Sequence, residues 1–280
     1  MKKILIPIDC NLNSEEAIEY SIKFFRSTAC EFYFINTYTN EMDELNALSI
    51  LKADDERFEK PKADSEKSLG TLIQKYSCNK QDKKHHFSAI SECTGLIEGV
   101  KKAIKEIEID LVVLSGKNDT KNISEKYSKN TKRIIENVRE CPVMIIPSSA
   151  KLEKQPRFVL VSNFKEEIPK AELQSWYELV AIVKGKIKII TLSGKNKMTS
   201  SQKANQKRVR FQIETDTKNP IEVEYLDTVD DLKFLVNFHS DYIICLLDKK
   251  PDFWRICGFT KSRIANLGPL KSTPLIALHC

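Results

Sequence analysis

Short β-branched and aliphatic runs recur along this chain, each followed by a longer segment with apolar residues at helical spacing, and the whole series occurs twice. In the first half the runs are KILIPID (3–9), EFYFINTY (31–38), HHFSAI (85–90), DLVVLS (110–115) and PVMIIP (142–147). Near-continuous apolar runs of this length, bounded by turn residues, suit strands buried on both faces of a parallel sheet. The segments between them read as helices. The first starts at Asn13 with Glu16 three residues on, a capping-box pattern, and carries Ala17, Ile18, Ser21, Ile22 and Phe25 at helical spacing. Further helices are expected over about 64–77, 95–107 and 129–139. Alternation of this kind predicts an α/β fold, an open, mostly parallel five-stranded sheet with helices on both faces.

The second half repeats the order with RFVLVSN (157–163), KIKIITL (186–192), IEVEYLD (221–227), DYIICLL (241–247) and TPLIALH (273–279). KILIPID aligns with RFVLVSN, which sets Asn163 opposite Asp9; DLVVLS aligns with DYIICL; CPVMIIP aligns with TPLIALH, with Pro142 opposite Pro274. Self-similarity at half the chain length implies a duplication. The expected organisation is two tandem doubly wound domains, 1–147 and 157–280, joined by the linker SSAKLEKQP at about 148–156.

Composition excludes several classes. Of the 280 residues, 41% are hydrophobic and 30% charged, which is globular rather than disordered. The net charge of +6 bears on anion attraction, not on fold. No stretch approaches the roughly 18 apolar residues of a membrane span. The opening MKKILIPIDCN has an apolar run too short for a signal peptide before Asp9 ends it, so it reads as a strand and a cytoplasmic location is expected. The eight cysteines include no C-x-x-C and none lies by a histidine pair at zinc-ligand spacing; reduced, mostly buried thiols are expected, with Cys10 and Cys280 the two to test for reactivity.

Other constellations carry little chemistry. His85 and His86 open a strand, where adjacent side chains point to opposite faces and cannot readily chelate one metal, and His239 and His279 have no partner at ligand spacing. The basic segment GKNKMTSSQKANQKRVR (194–210) lacks interleaved aromatics and reads as a solvated connection into a helix rather than a nucleic-acid site. There is no G-x-S-x-G elbow, no P-loop and no nucleophile with an identifiable base, so no catalytic residue is assigned and an enzyme is not expected.

The stretch LVVLSGKNDTKNISEKYSKNTKRII (111–135) has the strand–loop–helix layout by which many α/β proteins hold a phosphate. Together with ILIPID, a following helix opening SEEA, and SKNTKRIIENVRECPVMIIP, it resembles the universal stress protein family over about 1–147. Over 157–280 the resemblance is carried by element order and GFTKSRIANLGPLKSTPLIAL. The chain is thus similar to a tandem member, and the resemblance implies the adenine nucleotide alpha hydrolase-like fold and a role in stress response or signalling. Family members that bind ATP carry a pattern of Gly, two residues, Gly, nine residues, Gly, then Ser or Thr. Glycines there permit positive φ and let backbone amides close on a phosphate at a helix N-terminus. In this chain the three glycine positions fall on Ser115, Asn118 and Ser128 and the Ser/Thr position on Lys129, with Gly116 out of register by one. Asp9 matches the acidic residue that ends the first strand in binding members.

These departures imply no bound cofactor, the pocket being a vestige formed by Asp9, Ser115, Asn118, Ser128, Lys129, Asn130 and Thr131. The alternative is an ATP-binding protein or weak ATP hydrolase that uses Asp9 and the lysine-rich loop 115–132, with Lys117, Lys121, Lys129 and Lys132 around it and Asn130 and Thr131 donating hydrogen bonds. In the second half Asn163 replaces the aspartate, and DKKPDFWRICG after DYIICLL has no glycine pair, so that half is expected to be less able still to bind ATP. Family members commonly dimerise through the last strand. The two halves are therefore expected to pair edge to edge as a pseudo-dimer through Val143–Ile146 and Leu275–Leu278. The acting partner is an unidentified protein, and neither a membrane nor a nucleic acid is expected.

Overall fold

The computed structural model describes residues 1–8, 14–39, 55–78, 84–116, 127–248, 264 and 267–279. Its strands are β1 (Lys2–Pro7), β2 (Cys30–Tyr38), β3 (His85–Cys93), β4 (Leu111–Ser115), β5 (Val143–Ile146), β6 (Arg157–Ser162), β7 (Lys186–Leu192), β8 (Glu222–Leu226), β9 (Tyr242–Asp248) and β10 (Leu275–His279). The helices are α1 (Glu15–Phe24), α2 (Asp55–Ser77), α3 (Leu96–Ile107), α4 (Lys129–Asn137), α5 (Lys170–Ile182), α6 (Ser200–Thr217) and α7 (Val229–Val236).

All ten strands form one sheet in the order β3-β2-β1-β4-β5-β10-β9-β6-β7-β8. Each half therefore contributes the same sequence of neighbours, third-second-first-fourth-fifth, and the halves meet where β10 runs antiparallel to β5, with Ile276 opposite Met144. The other pairings are parallel.

Strand side chains alternate between two cores. Ile4, Phe32, Leu111, Met144, Phe158, Ile243 and Ile276 face one side, where α1, α2, α5 and α6 pack; Leu5, Val112, Val143, Val159, Ile244 and Leu275 face the other, under α3, α4 and α7. This two-sided burial is why these strands lack a polar alternation. The first core crosses the junction of the halves: the Phe24 ring on α1 meets Phe158 on β6 edge-on at 6.3 Å. Lys2 Nζ adds polar links, donating to Asp110 at 2.9 Å and across to Glu178 on α5 at 2.8 Å.

Two local expectations differ from the structure. Helix α1 has Ser14 as its N-cap, with no side-chain capping hydrogen bond, and Asn13 lies outside the described residues. Helix α2 begins at Asp55, earlier than expected, with Pro61 inside it. The alignment of DLVVLS with DYIICL is also offset. Ile4 pairs with Leu111 while the matching Phe158 pairs with Ile243, so Leu111 corresponds to Ile243 and not to Tyr242. The shared aspartate suggested the other register, but a one-residue slip would turn every core side chain to the opposite face. The alignment at Pro142 and Pro274 holds: their carbonyls accept from Val112 N and Ile244 N in equivalent positions, at 3.0 and 2.9 Å.

Candidate functional site

Chain order reverses direction in the sheet between β1 and β4, because β1 leads outward to β2 and β3 while the chain returns through α3 to place β4 on its other side. Open α/β sheets leave a crevice at such a switch point, outside the carboxyl ends of the strands. The end of β1 is fixed by Ile8 N donating to Ile35 O at 2.8 Å and by the buried Asn36, whose Nδ2 donates to Ile8 O at 2.9 Å. Asp9, which follows, lies outside the described residues, as do Lys117, Asn118 and Lys121.

Across the crevice, three of the described candidates, Ser115, Ser128 and Thr131, are hydrogen-bonded to one another. Ser128 is the N-cap of α4, and its Oγ accepts from Thr131 N at 3.2 Å. The Ser128 hydroxyl donates to Thr131 Oγ1 at 2.9 Å, and Thr131 Oγ1 donates in turn to the carbonyl of Ser115 at 3.2 Å. Thr131 is buried by this arrangement. The start of the helix is thereby tied to the end of β4 through side chains.

Gly116 has a different use from cradling a phosphate. Its N–H donates to Ile146 O at 2.8 Å, and a Cβ there would stand 3.2 Å from Ile145 Cγ2 and 3.3 Å from the Ile146 backbone. It allows the chain leaving β4 to lie against β5.

Lys129 and Asn130 remain exposed in the first turn of α4, which contains no acidic residue, and Lys132 lies 3.9 Å from Glu136 one turn on. Their charge and the helix dipole favour an anion there. Among the described residues of this site no side chain supplies a nucleophile paired with a base.

In the second half the end of β6, the counterpart of the end of β1, is held by side chains of α6, and the loop after β9 lies outside the described residues. Ser162 Oγ accepts from Phe164 N at 3.0 Å and Asn163 Oδ1 accepts from Lys165 N at 3.2 Å. Phe164, fully buried, takes a positive φ of 53° to make the bend. Gln202 Nε2 then donates to Asn163 O at 2.7 Å, and Asn205 Nδ2 to Phe164 O at 3.1 Å. Gln202 also completes a capping box with Thr199. The basic segment does run into a helix, as its sequence indicates, but that helix starts as early as Ser200, and Gln202 and Asn205 carry contacts; Thr199-x-x-Gln202 is the signal for that start.

Solved structures with the same architecture are known. A protein of unknown function from Pseudomonas aeruginosa superposes with a TM-score of 0.64 at 9% identity, over 100% of this chain and 92% of that one. A universal stress protein from Archaeoglobus fulgidus gives 0.64 at 14% identity, over 99% and 98%.

The chain has the universal stress protein fold.

A second such protein, from Pseudomonas aeruginosa, gives 0.60 at 10% identity over 100% and 93%. Neither a protein-family model nor a curated protein matches the chain. The likeness to these structures extends over both halves of this chain and not just one. Among the described residues no helix is long and apolar enough to cross a membrane, and no group of His, Cys, Asp and Glu side chains could hold a metal ion.

Proposed function

We propose that this chain is a tandem universal stress protein, a cytoplasmic stress-response or signalling module that binds no ATP, carries out no catalysis and acts through a protein partner. The observation that carries the ATP-independent reading is the chain of hydrogen bonds from Ser128 through Thr131 to the Ser115 carbonyl. The Ser128 and Thr131 hydroxyls and the Thr131 amide are engaged with the protein rather than free for a triphosphate, and side chains stand at two positions where close approach calls for glycine. Anchoring of the β6 end by Gln202 and Asn205 supports the same reading for the second half.

A second reading rests on the exposed Lys129 and the acid-free first turn of α4, which favour a nucleotide phosphate held through side chains together with Asp9. Calorimetric titration of ATP with Mg²⁺ into nucleotide-free protein separates the two. Absent or millimolar affinity supports the first; a micromolar constant that disappears in Asp9→Ala establishes the second. Purified protein that releases no adenine nucleotide on denaturation would agree with the first.

A further inference from the structure

Two exposed helix faces in the second half match each other. Among the described residues the large hydrophobic side chains left exposed are, apart from Met1, Phe211 on α6 at 72%, Val229 and Phe234 on α7 at 39% and 68%, and Phe238 just after α7 at 68%. Phe234 and Phe238 form an aromatic pair with ring centroids 4.9 Å apart. A lone exposed apolar residue needs no explanation, but aromatic pairs left in water are candidates for contact.

Charge divides these faces. On α6, Phe211 follows the exposed Lys203 and Lys207, which form no ion pair among the described residues. The first turn of α6 holds no acidic residue, whereas Glu214 and Asp216 lie toward its C-terminus. That order opposes the helix dipole, so the lysines are not there to stabilise α6. On α7, Phe234 follows the exposed Asp230, which lies 3.7 Å from Lys233 with its own side chain 90% exposed, and the exposed Asp231, which also closes the capping box with Thr228. Lys207 and Phe211 on α6, and Asp230 and Phe234 on α7, each stand four residues apart, about 6 Å along a helix. Laid parallel, the two helices would set cation against anion and ring against ring.

We propose that copies of this chain associate head to tail, the α6 face of one taking the α7 face of the next. The two helices pack on opposite faces of the sheet, and the contact joins unlike faces, α6 of one copy to α7 of the other. Direct addition at the free strand edge between them is disfavoured. Lys188, nearly buried, holds Glu222 at 3.0 Å and Glu224 at 2.8 Å along outermost β8, and charges of this kind blunt an edge. A contact of one helix from each copy belongs to the small, transient class, with association on the order of 10 µM to 1 mM.

Sedimentation velocity of the full chain over a rising concentration series tests this. The expected result is a sedimentation coefficient that climbs with concentration and falls back in high salt. Lys203→Glu/Lys207→Glu blocks one face and Phe234→Ser/Phe238→Ser the other, and each variant alone is expected to stay monomeric. An equimolar mixture of the two retains one intact pair of faces and is expected to stop at dimers. All four positions are solvent-exposed, and a circular dichroism melt verifies folding; Lys203→Gln/Lys207→Gln provides a milder version. A wild-type chain monomeric at about 1 mM, variants that assemble as wild type does, or a mixture that stays monomeric would each overturn the proposal. So would a monomeric chain that sediments with vesicles rich in anionic lipid through Lys203 and Lys207, because the α6 face would then be a membrane surface.

Discussion

The Thr131 hydroxyl donates to the Ser115 carbonyl at 3.2 Å, joining the first turn of α4 to the last residue of β4. Two positions expected to face a ligand are therefore held by each other. Replacing Thr131 by valine keeps the volume and removes the donor. The expected cost is about 1 kcal/mol, since a half-buried carbonyl loses its partner. Ser128→Ala removes the cap and costs about 1 kcal/mol. The double variant should cost less than the sum, because Ser128 also bonds Thr131. Urea unfolding of the four proteins measures all three quantities.

Gly116→Ala is expected to destabilise by about 1–2 kcal/mol through overpacking. The new methyl would press on Ile145 Cγ2 at 3.2 Å and on the Ile146 backbone at 3.3 Å, and a central strand has little freedom to retreat. Denaturant midpoints report the effect, and an unchanged midpoint would show that β5 can yield.

Lys188 predicts a pH dependence. Burial pulls its ammonium pKa down, but hydrogen bonds to Glu224, Glu222 and Tyr242 outweigh this and hold it above the usual lysine value. A raised pKa in the folded state stabilises the protein below the unfolded value, about 10.4, and that contribution disappears as pH rises through the folded value. Lys188→Met should therefore cost about 1–3 kcal/mol at neutral pH, moderated because Glu222 is 63% exposed. The difference from wild type should stay level from about pH 7 to 10 and shrink above about pH 10.4. Unfolding curves across that range check the sign.

Thiol chemistry should sort by burial. The Cys141 thiol is pushed up to about 12, first by burial and then by the nearby Glu140, while Cys78 and Cys93 are exposed. At pH 8 its thiolate fraction is about 10⁻⁴, so alkylation of native protein should label Cys78 and Cys93 long before Cys141 or the fully buried Cys245. Peptide mass spectrometry over a time course reads the order.

The strands were legible because residues such as Ile4–Ile6, Val112–Leu114 and Val159–Val161 are buried on both faces, and local sequence alone marks that. Helix α4 starts at Lys129, where the spacing places it. The offset between DLVVLS and DYIICL was not legible, since an aspartate shared by both runs outweighed a register that only partner strands define. Nor was the role of Gln202 or Asn205: both read as polar residues of a basic segment, and their acceptors, Asn163 O and Phe164 O, lie about 40 residues earlier.

The sequence by itself determined the alternating elements, their duplication and the absence of glycine from Ser115, Asn118 and Ser128, because each depends on residues close together in the chain. Only the tertiary structure decided the direction and register in which β10 meets β5, with Ile276 opposite Met144, that Gly116 serves the β4–β5 contact, and that α6 holds the end of β6. Those outcomes depend on hydrogen bonds and packing between distant segments, and such contacts leave no periodic trace in the local order of residues.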